Sequence, residues 1–434
     1  MWKYIKIIFT GIIFSFFFFP FEFTFLPESN TKMILAVVGL LIACFQLIIR
    51  RELRVPSNIF KISIFAALVS LMGFASMTYN GTSDDTYARY LASMWVWLSA
   101  AYVACTTIKN VHGKIDFGLL SNYIIAVCLA QCILSQIIDA SPSFKSFVDT
   151  YVNQGQVFLN DVNRLYGIGA SLDVAGTRFA VALILIACLL ISNENMSKQA
   201  TWIYVLSYIL IAVLGSIIAR TTYVGAVVGV IYMILSAKPS NWNVSKRGVD
   251  IFWTVCILLV IAVPVFTYLY NVSPQVHKML RFAFEGFFNL VEKGEWSISS
   301  NEALKTMVVF PKTTKTWLIG DGYFNNPITT DPYFLGEATG GYYMGTDVGY
   351  LRFIFYFGLI GLSIFILFFI KCAEYCGESF RVSKWIFFSM LIANMVIWLK
   401  VSTDIFFVFA VFLCAANMQD EPEQEQIATD EDRI

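Results

Sequence analysis

The chain has 434 residues, 58% of them apolar and 16% aromatic, with only 14% charged and a mean hydropathy of +0.68. A soluble protein of this length cannot hide so much apolar surface, so the composition points to an integral membrane protein. Lys and Arg number 30 and Asp and Glu 30, a formal net charge of zero, and no basic patch with interleaved aromatics occurs, which excludes nucleic acid as a partner.

In chain order, apolar runs of spanning or near-spanning length lie near residues 4–20, 32–49, 58–79, 90–108, 117–138, 173–192, 199–218, 222–237, 250–270, 347–370, 384–399 and 404–418. They predict an all-α polytopic bundle of about twelve transmembrane helices. The first run lacks a small-residue cleavage site and ends in Phe-Pro-Phe-Glu-Phe, so it is read as a retained helix rather than a signal peptide. The runs at 199–218 and 222–237 are separated only by a few residues around Arg220, which makes them two helices in a tight turn or one broken helix.

Orientation follows from the basic residues. With the N-terminus in the cytoplasm, the inside segments carry Lys3, Lys6, Arg50, Arg51, Arg54, Lys61, Lys109, Lys114, Lys198, Lys238, Lys246, Arg247, Lys371, Arg381 and Lys384. The short outside segments carry chiefly Lys32, Arg89, Arg220 and Lys400, an asymmetry that puts both termini in the cytoplasm. The organisation read from this is residues 1–270 with spans one to nine and an outside loop at 139–172, a large outside loop at 271–346, spans ten to twelve at 347–418, and an acidic tail at 419–434 expected to be disordered. Seven of the nine cysteines lie in spans, and Cys372 and Cys376 lie at a cytoplasmic end. No disulfide framework is available outside, and that pair lacks the further ligands a metal would need.

The large outside loop has structure of its own. Leu280, Phe284, Phe287, Phe288 and Val291 recur at helical spacing opposite Lys278, Arg281, Glu285, Asn289 and Glu292, which predicts an amphipathic helix lying on lipid, roofing a cavity or packing on the bundle. A second short helix is expected at Asn301–Val309, then a turn at Gly320-Asp321-Gly322, then an irregular cover from Asn325 to Tyr343. The smaller loop ends in Asn163-Arg164-Leu-Tyr166-Gly167, and Arg178 follows about a turn inside a span. A charge at that depth is costly and calls for a partner, for which Asp173 and Asp347 are the candidates. Arg220 stands at an outer helix break, where its planar donor fork suits a phosphate group. Lys400 and Asp404, four residues apart, read as a structural ion pair, and His112 and His277 receive no role.

The order of these features resembles the bacterial O-antigen polymerase and ligase family. The features are Ala219-Arg220-Thr-Thr-Tyr223-Val-Gly225 between two short helices, Leu-Ile-Gly320-Asp-Gly322-Tyr late in the large loop, and Asp347-Val-Gly-Tyr350-Leu351 with Gly358 and Gly361 where the chain returns to the membrane. The ligases carry a His where this chain has Asp347, which favours the polymerase branch. The resemblance implies a glycosyltransferase of the bacterial inner membrane, working at the periplasmic face on undecaprenyl-diphosphate-linked oligosaccharide repeat units. It leaves open a chain-length regulator protein as partner. Neither an Asp-x-Asp pair in the outside loops nor a His cluster is present, so no metal or cofactor is expected and the cations must be side chains. Asp347, Arg220 and Asp321 are the expected catalytic residues, with Glu285 a further candidate base, and Arg164, Arg178, Arg281, Tyr223 and Tyr350 the expected substrate-binding residues. Within the class, the alternatives are an O-antigen ligase and a cell-wall transglycosylase. The alternative from another class is a flippase for the same lipid-linked oligosaccharide.

Overall fold

A computed structural model describes residues 2–50, 57–161, 164–193, 196–236, 246–329, 334, 338–380 and 384–418. The acidic tail, most of 330–337, and the basic residues Arg51, Arg54, Lys238 and Arg381 lie outside the described residues. In chain order the elements are α1 (Trp2–Phe18), β1 (Glu22–Phe23), α2 (Thr31–Arg50), α3 (Ser57–Asn80), α4 (Tyr90–His112), α5 (Phe117–Ala140), α6 (Pro142–Tyr151), β2 (Val152–Asn153), α7 (Gln156–Asp161), α8 (Leu172–Ser192), α9 (Lys198–Ile218), α10 (Thr222–Ser236), α11 (Lys246–Val272), α12 (Pro274–Ala283), α13 (Glu285–Lys293), α14 (Ser299–Thr306), α15 (Thr314–Leu318), α16 (Gly349–Ser379), α17 (Lys384–Ile397) and α18 (Phe406–Ala416). Each of the twelve apolar runs falls on one of α1–α5, α8–α11 or α16–α18. Seven of these helices, α2–α5, α8, α9 and α16, are long and apolar enough to cross a membrane by themselves. The chain is therefore a multi-pass, predominantly helical membrane protein.

The bundle is organised around α8, which is apolar almost all round and buried from Ala175 to Cys188. It packs on α5, α9, α10 and α17. The closest approach is to α10, where a Cβ on Gly225 would stand 2.1 Å from Ala180 Cα, so only glycine fits. Ala219-Arg220-Thr221 joins α9 to α10, resolving that region as two helices rather than one broken helix.

At about 1.5 Å per residue, the 14 residues of α17 and 11 of α18 make roughly 21 and 16 Å, too short for a hydrocarbon core of about 30 Å. Their connection, 398–405, therefore dips into the bundle, where Trp398 packs on Phe353, Phe365 and Phe369. Irregular backbone at that depth persists only when protein satisfies it. Here Trp398 Nε1 donates to Thr403 O (2.6 Å), Tyr350 N donates to Trp398 O (3.2 Å), and Thr403 Oγ1 donates to Asn394 Oδ1 (2.8 Å). The expected Lys400–Asp404 pair is not formed, because these residues are not helical and a spacing of four brings nothing together. Asp404 instead accepts from Tyr90 Oη (3.1 Å) and Phe406 N (2.7 Å).

Helix α16 is broken at Phe357 and Gly358, the latter at φ +69°. The part after the break reaches a spanning length of about 30 Å on its own. Into the break fits the Gly320-Asp321-Gly322 turn, with both glycines at positive φ as the turn requires. Asp321 N donates to Phe355 O (2.6 Å) and Gly322 N to Tyr356 O (3.1 Å).

At the same end, which we term the loop face, β1 pairs antiparallel with β2, and Phe21, Ile138, Val148, Val152, Leu159 and Tyr166 form a small core. Gln275 of the large loop bonds to Asp139 of the smaller one. The single amphipathic helix expected around 280–292 is two, α12 and α13, divided at Phe284 (φ −106°, ψ 26°). The inward face is Leu280, Ala283, Gly286 and Asn289, leaving Phe287, Leu290 and Val291 exposed. The second short helix, α14, starts and ends two to three residues earlier than expected.

A side chain at Gly358 would meet Leu318 O at 2.1 Å and face an unfavourable φ, whereas Gly11 has nothing within 4 Å. Gly358→Ala is expected to cost more than about 2 kcal/mol, and Gly11→Ala to be neutral or slightly stabilising. Thermal unfolding of the two variants in matched detergent checks this: equal melting temperatures would show that the turn does not need the break.

Candidate active site at the loop face

The α9–α10 turn holds Arg220 in place from the backbone outward. Ala219 N donates to Gly215 O (2.8 Å) and Thr222 N to Ala219 O (3.0 Å), while Gly176 of α8 leaves room for Thr221. The Arg220 guanidinium lies over the Phe282 ring at 4.1 Å. Its Nε donates to Phe282 O (3.0 Å), Nη1 to Ser300 Oγ (3.2 Å), and Nη2 meets Glu285 Oε2 at 2.6 Å. Arg164, from the smaller loop, lies over the same Phe282 ring at 4.3 Å and has no ion-pair partner among the described residues. Burial and the neighbouring Arg220 charge draw its guanidinium below the ordinary value. Two guanidiniums from separate loops thus converge on one aromatic ring.

Beside them is a small recess, about 30 Å³, lined by Arg164, Asp173, Arg220, Phe282, Ser300 and Lys400. It holds about one water. Asp173, in the first turn of α8, accepts from Thr221 Oγ1 (3.1 Å) and pairs with Lys400 Nζ (3.1 Å). A larger cavity of about 490 Å³ opens on the other side of Arg164 and Phe282, walled by Lys145, Asn160, Lys278 and Gln275. Its volume is of ligand size.

Asp347 stands two residues before α16. Its Oδ1 lies 3.7 Å from Arg352 Nη1 and has no hydrogen-bond partner. Burial pushes its carboxyl up to about 6, and the Asp173 charge adds to the rise, against the opposing pull of Arg352 and Lys400. Arg352 is 7% exposed and sits over Phe324 (3.9 Å) and Tyr342 (4.6 Å). It donates to Ser402 Oγ (3.0 Å) and Asn325 Oδ1 (2.7 Å).

Of the residues singled out from the sequence, Arg220 and Arg164 meet at the recess, and Asp347 is coupled to it through Lys400 and Asp173. The others lie elsewhere. Arg178 is buried in the bundle and pairs with neither Asp173 nor Asp347. Its Nε bonds to Phe18 O and its Nη1 donates to Val174 O (2.9 Å), while Phe407 lies under its plane at 4.4 Å. Carbonyls and a ring, rather than a carboxylate, accommodate this charge, leaving Asp173 free for Lys400. Arg281 is held by Glu292 in a two-point pair (2.7 and 2.5 Å) at the surface and lines neither cavity. Asp321 accepts from Lys315 Nζ and Thr316 Oγ1, both at 2.8 Å, and so braces the turn it belongs to. Tyr350 is fixed in the bundle by Met395 O (2.9 Å). Tyr223 packs its ring on Phe284, next to the α9–α10 turn. In sequence, Lys400 pairs by spacing with Asp404 and Asp173 is a candidate partner for Arg178, and neither these two nor Arg352 is marked as belonging to this site. Asp173 in the first turn of a span was the available signal; nothing in the sequence joins it to a lysine 227 positions away.

No family model, curated protein or solved structure matches this chain.

A carboxyl that binds its proton more tightly in the folded chain than in the unfolded one subtracts stability as pH rises between the two values, here from about 4 to about 6. Asp347→Asn is therefore expected to raise the melting temperature at pH 7.5, with the gain shrinking as pH falls below about 6 and vanishing near about pH 4. A lower melting temperature at pH 7.5 would instead make the Arg352 pair net stabilising.

Proposed function

We propose that this chain is a glycosyltransferase of the O-antigen polymerase type, joining undecaprenyl-diphosphate-linked oligosaccharide repeat units at the periplasmic face of the inner membrane. The topology that goes with this reading has twelve spans with both termini cytoplasmic. The observation that carries it is the pair Arg164 and Arg220, converging on Phe282 from two loops at the loop face of a membrane bundle, beside a recess whose Asp173 and Lys400 charges act on Asp347, a carboxylate whose proton affinity suits a base.

In this reading the acceptor hydroxyl attacks the anomeric carbon of the donor sugar, and the bond from that carbon to the diphosphate oxygen breaks. The proton passes to Asp347, which is ionised above pH 6 yet close enough to neutrality to accept it. The electron pair and the new negative charge leave with undecaprenyl diphosphate, whose oxygens are held by Arg220 and Arg164. Arg352 and Lys400 keep Asp347 ionised between turnovers. The larger cavity, with its amide and amine walls, accommodates sugar units next to the diphosphate site. A flippase would need its charges along a central path. Arg178 and Asp404 are central, but both are enclosed by backbone and ring contacts.

Purified protein incubated with lipid-linked repeat units alone should give a ladder of products. Arg220→Ala and Arg220→Lys should each lower the rate by at least about 100-fold, since lysine keeps the charge but not the fork. Full activity in Arg220→Lys would reduce the residue to a point charge, and no ladder from the parent protein would overturn the reading. Excess chelator should leave the ladder unchanged; activity restored only by magnesium or manganese would add a metal to the mechanism.

A further inference from the structure

We propose that α13 and the turn after it are seated in lipid, with Phe287, Leu290, Val291 and Trp296 inserted into the membrane leaflet at the loop face. This inference rests on the membrane fold and is independent of the glycosyl-transfer reading. The four side chains are 57%, 45%, 85% and 54% exposed, on a face that the rest of the protein leaves uncovered. The patch is built rather than incidental. Trp296 folds back under α13 so closely that a Cβ on Gly286 would meet its Cζ2 at 2.8 Å, and its ring stands edge-on to Phe287 at 4.9 Å.

Continuity with the lipid-facing bundle identifies the occupant. Helix α11 exposes Val263, Val265, Tyr268 and Val272, as a lipid-facing helix does, and only Ser273 separates its end from Pro274, where α12 starts. Tyr270 near its end stacks on His277 (4.1 Å) and Phe288 (5.6 Å), which fastens α12 and α13 to the end of α11. On the other flank Phe284 rests on Tyr223 of α10, a helix that exposes Val227, Val230 and Ile231. The apolar face of α13 therefore begins where two lipid-facing surfaces end.

Charge decides the kind of anchoring. Helix α13 and the turn after it carry one cation, Lys293, against Glu285, Glu292 and Glu295, the first two of which are paired with Arg220 and Arg281. With no net basic charge to attract anionic headgroups, insertion is driven by apolar burial alone. It should then be indifferent to lipid charge and to salt.

The test is a nitroxide placed at Val291→Cys, and at Glu302→Cys as an aqueous control, in the full chain with Cys44→Ser and Cys256→Ser, reconstituted in phosphatidylcholine nanodiscs. Collision rates with oxygen and with a water-soluble nickel chelate are read by electron paramagnetic resonance. The expected result at 291 is high oxygen and low nickel accessibility, a ratio several-fold above that at 302, unchanged by phosphatidylglycerol or high salt. Nickel access at 291 equal to that at 302 would overturn the proposal. So would shielding from both reagents with spin–spin broadening that disappears on dilution with unlabelled protein, since a second copy would then cover the face. Shielding that requires anionic lipid would overturn the apolar basis of the anchor.

Discussion

A helix interrupted where it is buried in protein leaves carbonyl oxygens without their usual partners four residues on, and apolar side chains offer nothing in exchange. In α16 the cost would fall on Phe355 and Tyr356, and three donors from distant parts of the chain remove it: Asp321 N, Gly322 N and Ser76 Oγ (2.7 Å to Tyr356 O). The Tyr356 hydroxyl continues the network, accepting from Tyr87 N (3.1 Å) and donating to Asp84 O (2.9 Å). A carboxylate oxygen of Asp84 then accepts from Phe324 N (2.7 Å). The large loop, the α3–α4 connection and the broken helix are thus one closed set of hydrogen bonds. Phe324, fixed by this network, supplies a ring under Arg352, the guanidinium nearest Asp347.

The charges at the loop face follow from this fastening. Burying an ion is expensive unless it is paired, so the four cations around the small recess and Asp347 each have a carboxylate or an aromatic face within reach. Lys400 has Asp173, Arg220 has both Glu285 and Phe282, and Arg352 has two rings and a distant carboxylate. Arg164 has only the Phe282 ring it shares with Arg220. Among the described residues Arg164 thus lacks a paired carboxylate, and it stands at the wall between the small recess and the larger cavity. Guanidiniums suit this better than amines, because they are weakly hydrated and can stack.

Apolar runs were enough to locate every long helix, since lipid leaves the backbone few alternatives. They could not show that α16 breaks, because Gly358 looks like any small residue in a membrane helix until a turn from the large loop is seated against it. The convergence of Arg164 with Arg220 was not legible either: it depends on Phe282, which in sequence is one more aromatic on an amphipathic stretch. The expected partners of Arg178 failed for a related reason. Pairing rules read charge with charge, whereas this guanidinium is satisfied by two carbonyls and a ring, an environment built by α1 and α18 at opposite ends of the chain. Lys400 and Asp404 illustrate the opposite error, in which a spacing meaningful only on a helix was read across a segment that is not one.

Arg220 already holds three partners, so in the proposed glycosyl transfer a diphosphate would have to displace at least one. The carboxylate is the one that can leave at low cost. Glu285 Oε1 accepts from Ser299 N (3.1 Å) and Oε2 from Ser299 Oγ (3.0 Å), and its side chain is twice as exposed as that of Arg220. Released from Arg220, it therefore keeps two donors and gains access to water rather than becoming an isolated buried charge, which is what makes breaking most buried pairs costly. The carbonyl of Phe282 and the hydroxyl of Ser300 stay in place and keep the fork oriented during the exchange. Under the proposed function, Glu285 is thus the partner that holds the guanidinium oriented and the one that would yield to a ligand with more charge and more oxygens.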